Sequence, residues 1–193
     1  GLDGETMGTF EANFRCLADI MERGLLVKRI NIRQVLPFPG TPAHVKRFVP
    51  GKSAENRFIY YRDRIRAEIE HPMLEKIYPP GTIIRHCQVL ETQAGYSYAK
   101  QIASYAITLK FPSELPLMSF HDAVIISHRE RSLVALPSPV NINTLSQKAL
   151  ELIPGIGKKG ASEIILNRPF RSIAEIERFV KNVSKEVVKR IVA

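Results

Sequence analysis

The chain has 193 residues, a net charge of +9 and 45% hydrophobic residues. This composition is typical of a folded protein, and no apolar run approaches the roughly 18 residues that a membrane span needs. The two cysteines, Cys16 and Cys87, lie far apart, which excludes a disulfide framework and predicts a reducing, cytoplasmic setting. The basic excess favours a polyanionic partner, although charge alone does not separate binding from solubility.

Residues 1–46 predict a helix and then a strand. Apolar residues recur at steps of three and four over residues 9–23, and Gly24 is a suitable C-terminal stop. Apolar and polar side chains alternate in the next segment, at Arg29, Ile30, Asn31, Ile32 and Arg33. This alternation predicts a strand with one apolar and one polar face.

Residues 47–78 predict one connecting helix. Ser53 is a suitable N-cap for a helix that runs to about Glu70, and Pro72 should end or kink this helix at His71. Several arginines lie mostly off the apolar stripe, namely Arg57, Arg62, Arg64 and Arg66. They form either a solvated helix face or an extension of a polyanion-binding surface.

Residues 79–139 predict a small all-β domain. The turn PPGT at residues 79–82 marks its start. Alternating or continuously apolar segments follow, separated by turns and prolines: TIIRHCQVLET, YSYAKQIASYAITLKF, DAVIIS and SLVALP. Such strands favour a barrel or a sandwich. The histidines of this region, His86, His121 and His128, lack metal-site spacing, and no nucleophile motif accompanies them.

Residues 140–193 predict four short helices, which must pack together because none is long enough to be stable alone. Thr144, Ser172 and Ser184 are suitable N-caps, and Glu175 completes a capping box with Ser172. The segment holds six Lys and four Arg against five Glu, a net charge of +5. More than half of the basic excess therefore lies here.

The first two of these helices flank IPGIGKKGASEI, residues 153–164. Glycines permit positive φ and a close approach to a ligand, and Ile156 can fill the space between the helices. The amides of residues 157–160 should lie at a helix N-terminus, where free N–H groups and the helix dipole favour an anion. Lys158 and Lys159 add charge suited to a phosphate backbone rather than to base reading. The alternative is a glycine turn between two packed helices.

This C-terminal segment resembles a helix-hairpin-helix module of the kind found in competence DNA receptors and DNA-repair proteins. The shared features are Asn141-Ile142-Asn143-Thr144, the hairpin Pro154 to Gly157, Ala161, Ile164-Ile165 and Arg168-Pro169-Phe170. The resemblance implies sequence-independent binding to the backbone of RNA or DNA. The implied contacts are Gly155, Ile156, Gly157, Lys158, Lys159, Gly160 and Arg168.

The front of the chain resembles the closing part of a radical-SAM barrel, through GLDGET at residues 1–6 and RINIRQVLPFPGTP at residues 29–42. The whole chain is similar to the C-terminal part of a mostly archaeal radical-SAM family that ends in a helix-hairpin-helix module. The β region would occupy the place of the TRAM-like RNA-binding barrel of tRNA methylthiotransferases. Where related barrels tend to have aromatic-Gly-Arg, this chain has Tyr98-Ala99-Lys100.

The resemblance also implies a cofactor side. Asn31 and Arg33 would point into the barrel towards S-adenosylmethionine or substrate; the alternative is an edge strand with one wet face. A [4Fe–4S] cluster of this class needs three cysteines, usually spaced Cys-x3-Cys-x2-Cys, and this chain has no such triad. No cofactor or metal is therefore expected in this chain. The cluster, S-adenosylmethionine and the rest of the barrel would belong to a parent protein, and the chain alone should be inactive.

The predicted fold class is α+β. It comprises a partial βα-barrel remnant (1–46), a connecting helix (47–78), a small TRAM/OB-like barrel (79–139) and an all-α helix-hairpin-helix domain (140–193). The predicted function is that of the C-terminal portion of a radical-SAM iron–sulfur enzyme that binds and modifies nucleic acid, with RNA favoured. The alternative is a stand-alone, sequence-independent nucleic-acid-binding adaptor without catalysis. In a third reading the helical end is a protein-interaction module and the hairpin only a turn.

Overall fold

The computed structural model describes residues 4–27, 29–46, 51–104 and 106–192. The chain divides into two compact units, Gly1–Ile77 and Tyr78–Ala193. The first unit is helical, and the second combines a closed β-barrel with helices. The predicted α+β class is therefore confirmed, and the finer four-part division stays a prediction.

The first unit is a small helical assembly. Its helices are α1 (Met7–Glu22), α2 (Pro42–Val45), α3 (Lys52–Ile65) and α4 (His71–Ile77), with a π-helical segment (Arg66–Glu70) between the last two. Ile65, Ile69 and Met73 form its buried centre, and the predicted apolar stripe of α1 packs against it. Arg64 fastens α3 to α1, because its guanidinium lies 3.6 Å from the centre of the Phe14 ring and pairs with Glu11.

The helix does not end at Pro72. Proline cannot donate a backbone hydrogen bond, and its ring crowds the preceding turn. The wider π-helical turn comes directly before it, with the amide of His71 donating to the carbonyl of Arg66. This turn accommodates the proline so that helical structure continues to Ile77. The N-cap is Gly51 rather than Ser53, whose hydroxyl accepts a bond from Arg57 instead.

The predicted strand around Ile30 and Ile32 is not formed. Both isoleucines do pack on the helical core, while Asn31 and Arg33 are exposed on the opposite face. The amide of Ile30 donates to the Glu70 carboxylate at 3.1 Å, and no strand forms among residues 4–27, 29–46 and 51–77. A strand needs a partner for its amides, so the alternation of faces was correct and the secondary structure was wrong. The origin of residues 1–46 in a barrel stays a prediction, and residues 1–3 of GLDGET lie outside the described residues.

The second unit contains a closed five-stranded barrel. Its strands are β1 (Ile83–Gln93), β2 (Tyr96–Gln101), β3 (Thr108–Phe111), β4 (Phe120–His128) and β5 (Ser132–Pro137). They close in the order β1-β2-β3-β5-β4, and only the β3–β5 pair is parallel. The strand segments predicted within residues 79–139 are confirmed, and closure decides for a barrel over a sandwich.

Burial on both faces explains the continuously apolar runs of β4 and β5. Four residues of β4 and four of β5 are buried in succession. Because successive side chains of a strand point to opposite faces, one set fills the barrel. The other set packs under the helices that follow: Val124, Ile126, Val134 and Leu136. The barrel and the helical segment therefore share one hydrophobic core.

The predicted four helices are present as α5 (Gln147–Glu151), α6 (Gly157–Leu166), α7 (Ile173–Val180) and α8 (Lys185–Val188). Ser146 rather than Thr144 caps α5, accepting a bond from the amide of Ala149. The Ser172 side chain makes no cap bond, and Glu175 accepts instead from the amide of Arg171. A short strand β6 (Val140–Asn141) pairs with β7 (Ile191–Val192), which joins the two ends of the helical segment.

The two cysteines should differ sharply in reactivity. Cys16 is exposed, whereas Cys87 is buried, and burial, reinforced by the Asp122 carboxylate, raises the pKa of the Cys87 thiol to about 11. We expect iodoacetamide at about pH 8 to modify Cys16 and to spare Cys87 until the protein is unfolded. Peptide mass spectrometry of native and urea-treated samples measures this difference. Equal labelling of both thiols in the native protein would contradict the placement of Cys87.

The same thiol gives a pH dependence of stability. The unfolded Cys87 thiol ionises near pH 8.5, whereas the folded thiol stays neutral up to its pKa of about 11. Its contribution to stability is therefore complete below about pH 8.5 and is lost as the pH rises towards 11. A Cys87→Ala variant should lack this alkaline loss in urea titrations.

Candidate nucleic-acid interface

The predicted hairpin lies between α5 and α6, and we call residues 153–160 the first hairpin. Gly155 and Gly157 have φ of +98° and +63°, values that only glycine adopts freely. Ile156 is buried in the shared core, as predicted. Because α6 begins at Gly157, the free amides of its first turn lie within the hairpin.

Lys158 and Lys159 are the accessible charges of the first hairpin. Both side chains are exposed, and neither ammonium group has an ion-pair partner among the described residues. A Cβ placed on Gly157 would meet no atom within 4 Å, so the backbone here faces open space. Two unneutralised charges thus stand beside a helix N-terminus, where an anion is favoured.

The structure gives Gly155 a packing role. A Cβ on Gly155 would overlap the carbonyl oxygen of Asn182 and lie 2.5 Å from its carbonyl carbon. Gly160 makes room for Ile156 in the same way, since a Cβ there would lie 3.2 Å from the Ile156 side chain. The missing side chains of these two glycines therefore serve contacts within the protein, and the ligand contacts predicted for both residues stay a prediction.

Arg168 is also engaged inside the helical segment. Its guanidinium donates to the carbonyl of Leu145 at 2.7 Å, and burial lowers the pKa of this group. Next to it, the Asn143 side chain donates to the carbonyl of Phe170 and accepts from its amide, at 2.9 and 2.8 Å. Hydrogen bonds therefore join residues 143–145 to residues 168–170.

Sequence reasoning missed a second hairpin, residues 180–187, between α7 and α8. Val183 is buried there as Ile156 is in the first hairpin. The amide of Val183 bonds to the carbonyl of Val180, and that of Ile156 to Ile153, at 2.9 and 3.1 Å. A shift of 27 residues superimposes the buried positions: Ala149 on Ile176, Ile153 on Val180, Ile156 on Val183 and Ile164 on Ile191. The repeat was hidden because Asn182 and Ser184 replace the two turn glycines.

A cluster of lysines and tyrosines on the barrel was also missed. Tyr96, Tyr98 and Lys100 occupy alternate positions of β2 and so share one face, and Lys110 of β3 is the cross-strand partner of Tyr98. We call these four residues the β2–β3 face. The Lys110 ammonium lies 3.6 Å from the centre of the Tyr96 ring and 5.6 Å from that of Tyr98. Alternating aromatic and basic residues are the signal that could have revealed it.

Lys148 of α5 connects this face to the helices. Its ammonium lies 3.3 Å from the centre of the Tyr96 ring. It also donates to the carbonyl oxygens of Ala94 and Gly95, in the turn between β1 and β2, at 3.3 and 3.1 Å. The helix that leads into the first hairpin is thereby attached to the edge of the β2–β3 face.

The histidines of the barrel serve separate local contacts. His121 bonds to the Ser119 hydroxyl at 2.8 Å, and His128 to the carbonyl of Tyr78 at 2.7 Å. Asp122 accepts a bond from the amide of His86. Within the described ranges no group of three or more His, Cys, Asp or Glu side chains is placed to hold a metal ion. None of the helices described has the length and apolar character needed to cross a bilayer.

The residues of this chain do not fit a [4Fe–4S] cluster. Such a cluster is held by several cysteine thiolates, and the two cysteines here are one exposed and one buried residue in different units. Asn31 and Arg33, which the sequence suggested for cofactor binding, lie on the surface of the first unit.

Comparison with known proteins relates the chain to archaeal sequences. Residues 107–193 match a family described as "Protein of unknown function (DUF655)". An uncharacterised protein of Archaeoglobus fulgidus is 40% identical over 177 residues, which cover 92% of this chain and 33% of that protein. An uncharacterised protein of Methanocaldococcus jannaschii is 34% identical over 136 residues, covering 69% and 25%. The chain thus spans a third or less of the length of these relatives, and the family match runs from β3 through both hairpins.

Proposed function

We propose that the Tyr78–Ala193 unit binds the backbone of a nucleic acid, RNA favoured, through the first hairpin. The observation that carries this proposal is the pair of exposed, unneutralised lysines beside the open N-terminus of α6. Helix N-termini with free amides are ready anion sites, and lysine is a point charge suited to phosphate. Such contacts position a backbone and do not read bases.

The barrel is proposed to be of TRAM/OB-like type. Support comes from its five strands and from the order β1-β2-β3-β5-β4 with a parallel β3–β5 pair. Five-stranded Greek-key barrels of the OB class bind oligonucleotides on the face of their second and third strands. Here that face carries tyrosines and lysines, residue types suited to bases and phosphates.

The chain is further proposed to be the C-terminal part of a larger radical-SAM enzyme that modifies the bound nucleic acid. The resemblance of residues 1–42 supports this proposal, as do archaeal relatives of three to four times the matched length. The cluster and S-adenosylmethionine would be held by residues outside this chain, which alone should be inactive. The second candidate is a binding adaptor without catalysis, favoured by the absence of a cysteine triad in this sequence.

A charge reversal tests the backbone contact. In Lys158→Glu/Lys159→Glu, affinity for a fluorescent RNA should fall at least tenfold near physiological salt, and the log–log salt slope should drop by about 1.4 for a single strand, about 0.7 per lost phosphate contact. Fluorescence anisotropy over a salt series measures both quantities. The matched control Lys158→Arg/Lys159→Arg keeps the charge and should retain binding. Unchanged affinity and slope in the Glu variant would refute the proposal and favour a plain turn in a protein-interaction module.

A further inference from the structure

We infer that the substrate of the Tyr78–Ala193 unit is a single strand, which runs from the first hairpin across Lys148 onto the β2–β3 face. This inference rests on the proposed function and names its substrate class. It follows from the difference between the two hairpins, from their attachment to the barrel, and from the chemistry of the barrel face.

The second hairpin is turned inward and is not a second grip. A Cβ on Gly81, in the turn before β1, would lie 2.6 Å from the carbonyl carbon and oxygen of Glu186. The Arg190 guanidinium donates to the Gly81 carbonyl at 3.2 Å, and Lys189 is paired with Glu186 at 2.7 Å. The first turn of α8 is therefore packed on the barrel.

The charges of the two hairpins also favour the first hairpin, and not the second, as the binding site. The 27-residue shift places Glu186 where the first hairpin has Lys159, so one lysine of the pair is reversed in sign. A duplex presents two backbones, and a repeated hairpin could hold one backbone with each copy. Here the first copy has an open backbone at Gly157 and both lysines, whereas the second copy has Glu186 packed against Gly81, so only one strand is gripped.

The held strand has a continuous path on the barrel. Lys148 stands on the short helix that leads into the first hairpin and touches the Tyr96 ring. The barrel and helices share one core, so the hairpin and the β2–β3 face keep a fixed relation. Lys148 and Lys110 thus extend the positive surface from the hairpin onto the face.

The β2–β3 face fits unpaired bases. Side chains two residues apart on a strand are separated by about 6.5–7 Å, a spacing that lets Tyr98 and Lys100 meet successive parts of an extended strand. Two ammonium groups already crowd the Tyr96 ring, so Tyr98 is the ring left for stacking. A duplex hides its base faces within its own stack, whereas a single strand can offer them to an aromatic side chain.

The experiment compares one RNA of about 12 nucleotides, a length within the range of single-strand sites, with the duplex of the same sequence on the full chain. We expect tighter binding of the single strand. Tyr98→Ala should weaken single-strand binding by roughly tenfold and leave the duplex unchanged. Tyr98→Phe keeps the ring and should behave as the wild type. Melting curves confirm that each variant is folded.

The repeat supplies a second matched pair. Lys158→Glu should weaken single-strand binding about tenfold, whereas Lys185→Glu, its equivalent in the second hairpin, should change it less than about twofold. Duplex binding as tight as single-strand binding, or equal losses in the two lysine variants, would overturn the single-strand inference and leave the backbone contact standing. If instead neither Lys158→Glu nor Lys158→Glu/Lys159→Glu changed the affinity for RNA, the proposed function itself would be wrong.

Discussion

Gly155→Ala should be among the most destabilising single substitutions in the helical segment. The new Cβ would overlap the backbone of Asn182, and the residue would be held at φ +98°. A left-handed conformation costs a side-chain-bearing residue about 1–2 kcal/mol, and overpacking adds about 1–3 kcal/mol. Gly155 and Asn182 cannot move apart freely, because their hairpins are held in the shared core by Ile156 and Val183. The expected loss is about 2–5 kcal/mol, or roughly 10 °C or more in Tm.

Gly157→Ala is the matched control for this substitution. Its φ of +63° lies in the same left-handed region, but a Cβ there meets nothing within 4 Å. Only the conformational cost of about 1–2 kcal/mol should then appear. Urea unfolding followed by circular dichroism compares the two variants. Equal losses would show that Gly155 does not pack against the second hairpin.

Gly81→Ala should loosen the attachment of the second hairpin to the barrel. Its Cβ would lie 2.6 Å from backbone atoms of Glu186, and its φ is +88°. The overlap is again with backbone, so the expected loss is of the same size, about 2–5 kcal/mol. Because the barrel and helices share one core, the Tyr78–Ala193 unit should still unfold in a single thermal transition, at a lower Tm. Hydrogen exchange should rise in α8 and at the start of β1.

Gly95→Ala is the control that separates the overlap of Gly81 with the Glu186 backbone from the conformational cost of a positive φ. Gly95 has φ +75°, and the nearest atom to its Cβ is the Lys148 ammonium nitrogen, at 3.0 Å. The end of a lysine side chain can move away at little cost, so the loss should stay near 1–2 kcal/mol. If Gly81→Ala were tolerated as well as Gly95→Ala, the inward packing of the second hairpin would be wrong.

Most of the secondary structure could be predicted from local patterns in the sequence. The apolar stripe of α1, the strands β1 to β5 and the helices α5 to α8 were predicted because helical and strand periodicities are properties of neighbouring residues. The predictions were wrong where the secondary structure depends on a hydrogen-bond partner that is distant in the sequence. Ile30 and Ile32 alternate as a strand would, but the amide of Ile30 bonds to the Glu70 side chain rather than to a second strand. Ser53 and Thr144 are not the N-caps of their helices, because Gly51 and Ser146 occupy those positions.

The sequence by itself determined the first hairpin: its glycines, its buried Ile156 and its two exposed lysines all follow from twelve consecutive residues. Only the tertiary structure decided that Gly155 serves packing, that Lys148 reaches a turn 54 residues away and that Arg190 reaches Gly81 across 109 residues. Those contacts join segments that no periodicity relates. They depend on closure of the barrel and on a core shared between strands and helices, because burial of apolar surface, and not local preference, sets which distant residues meet.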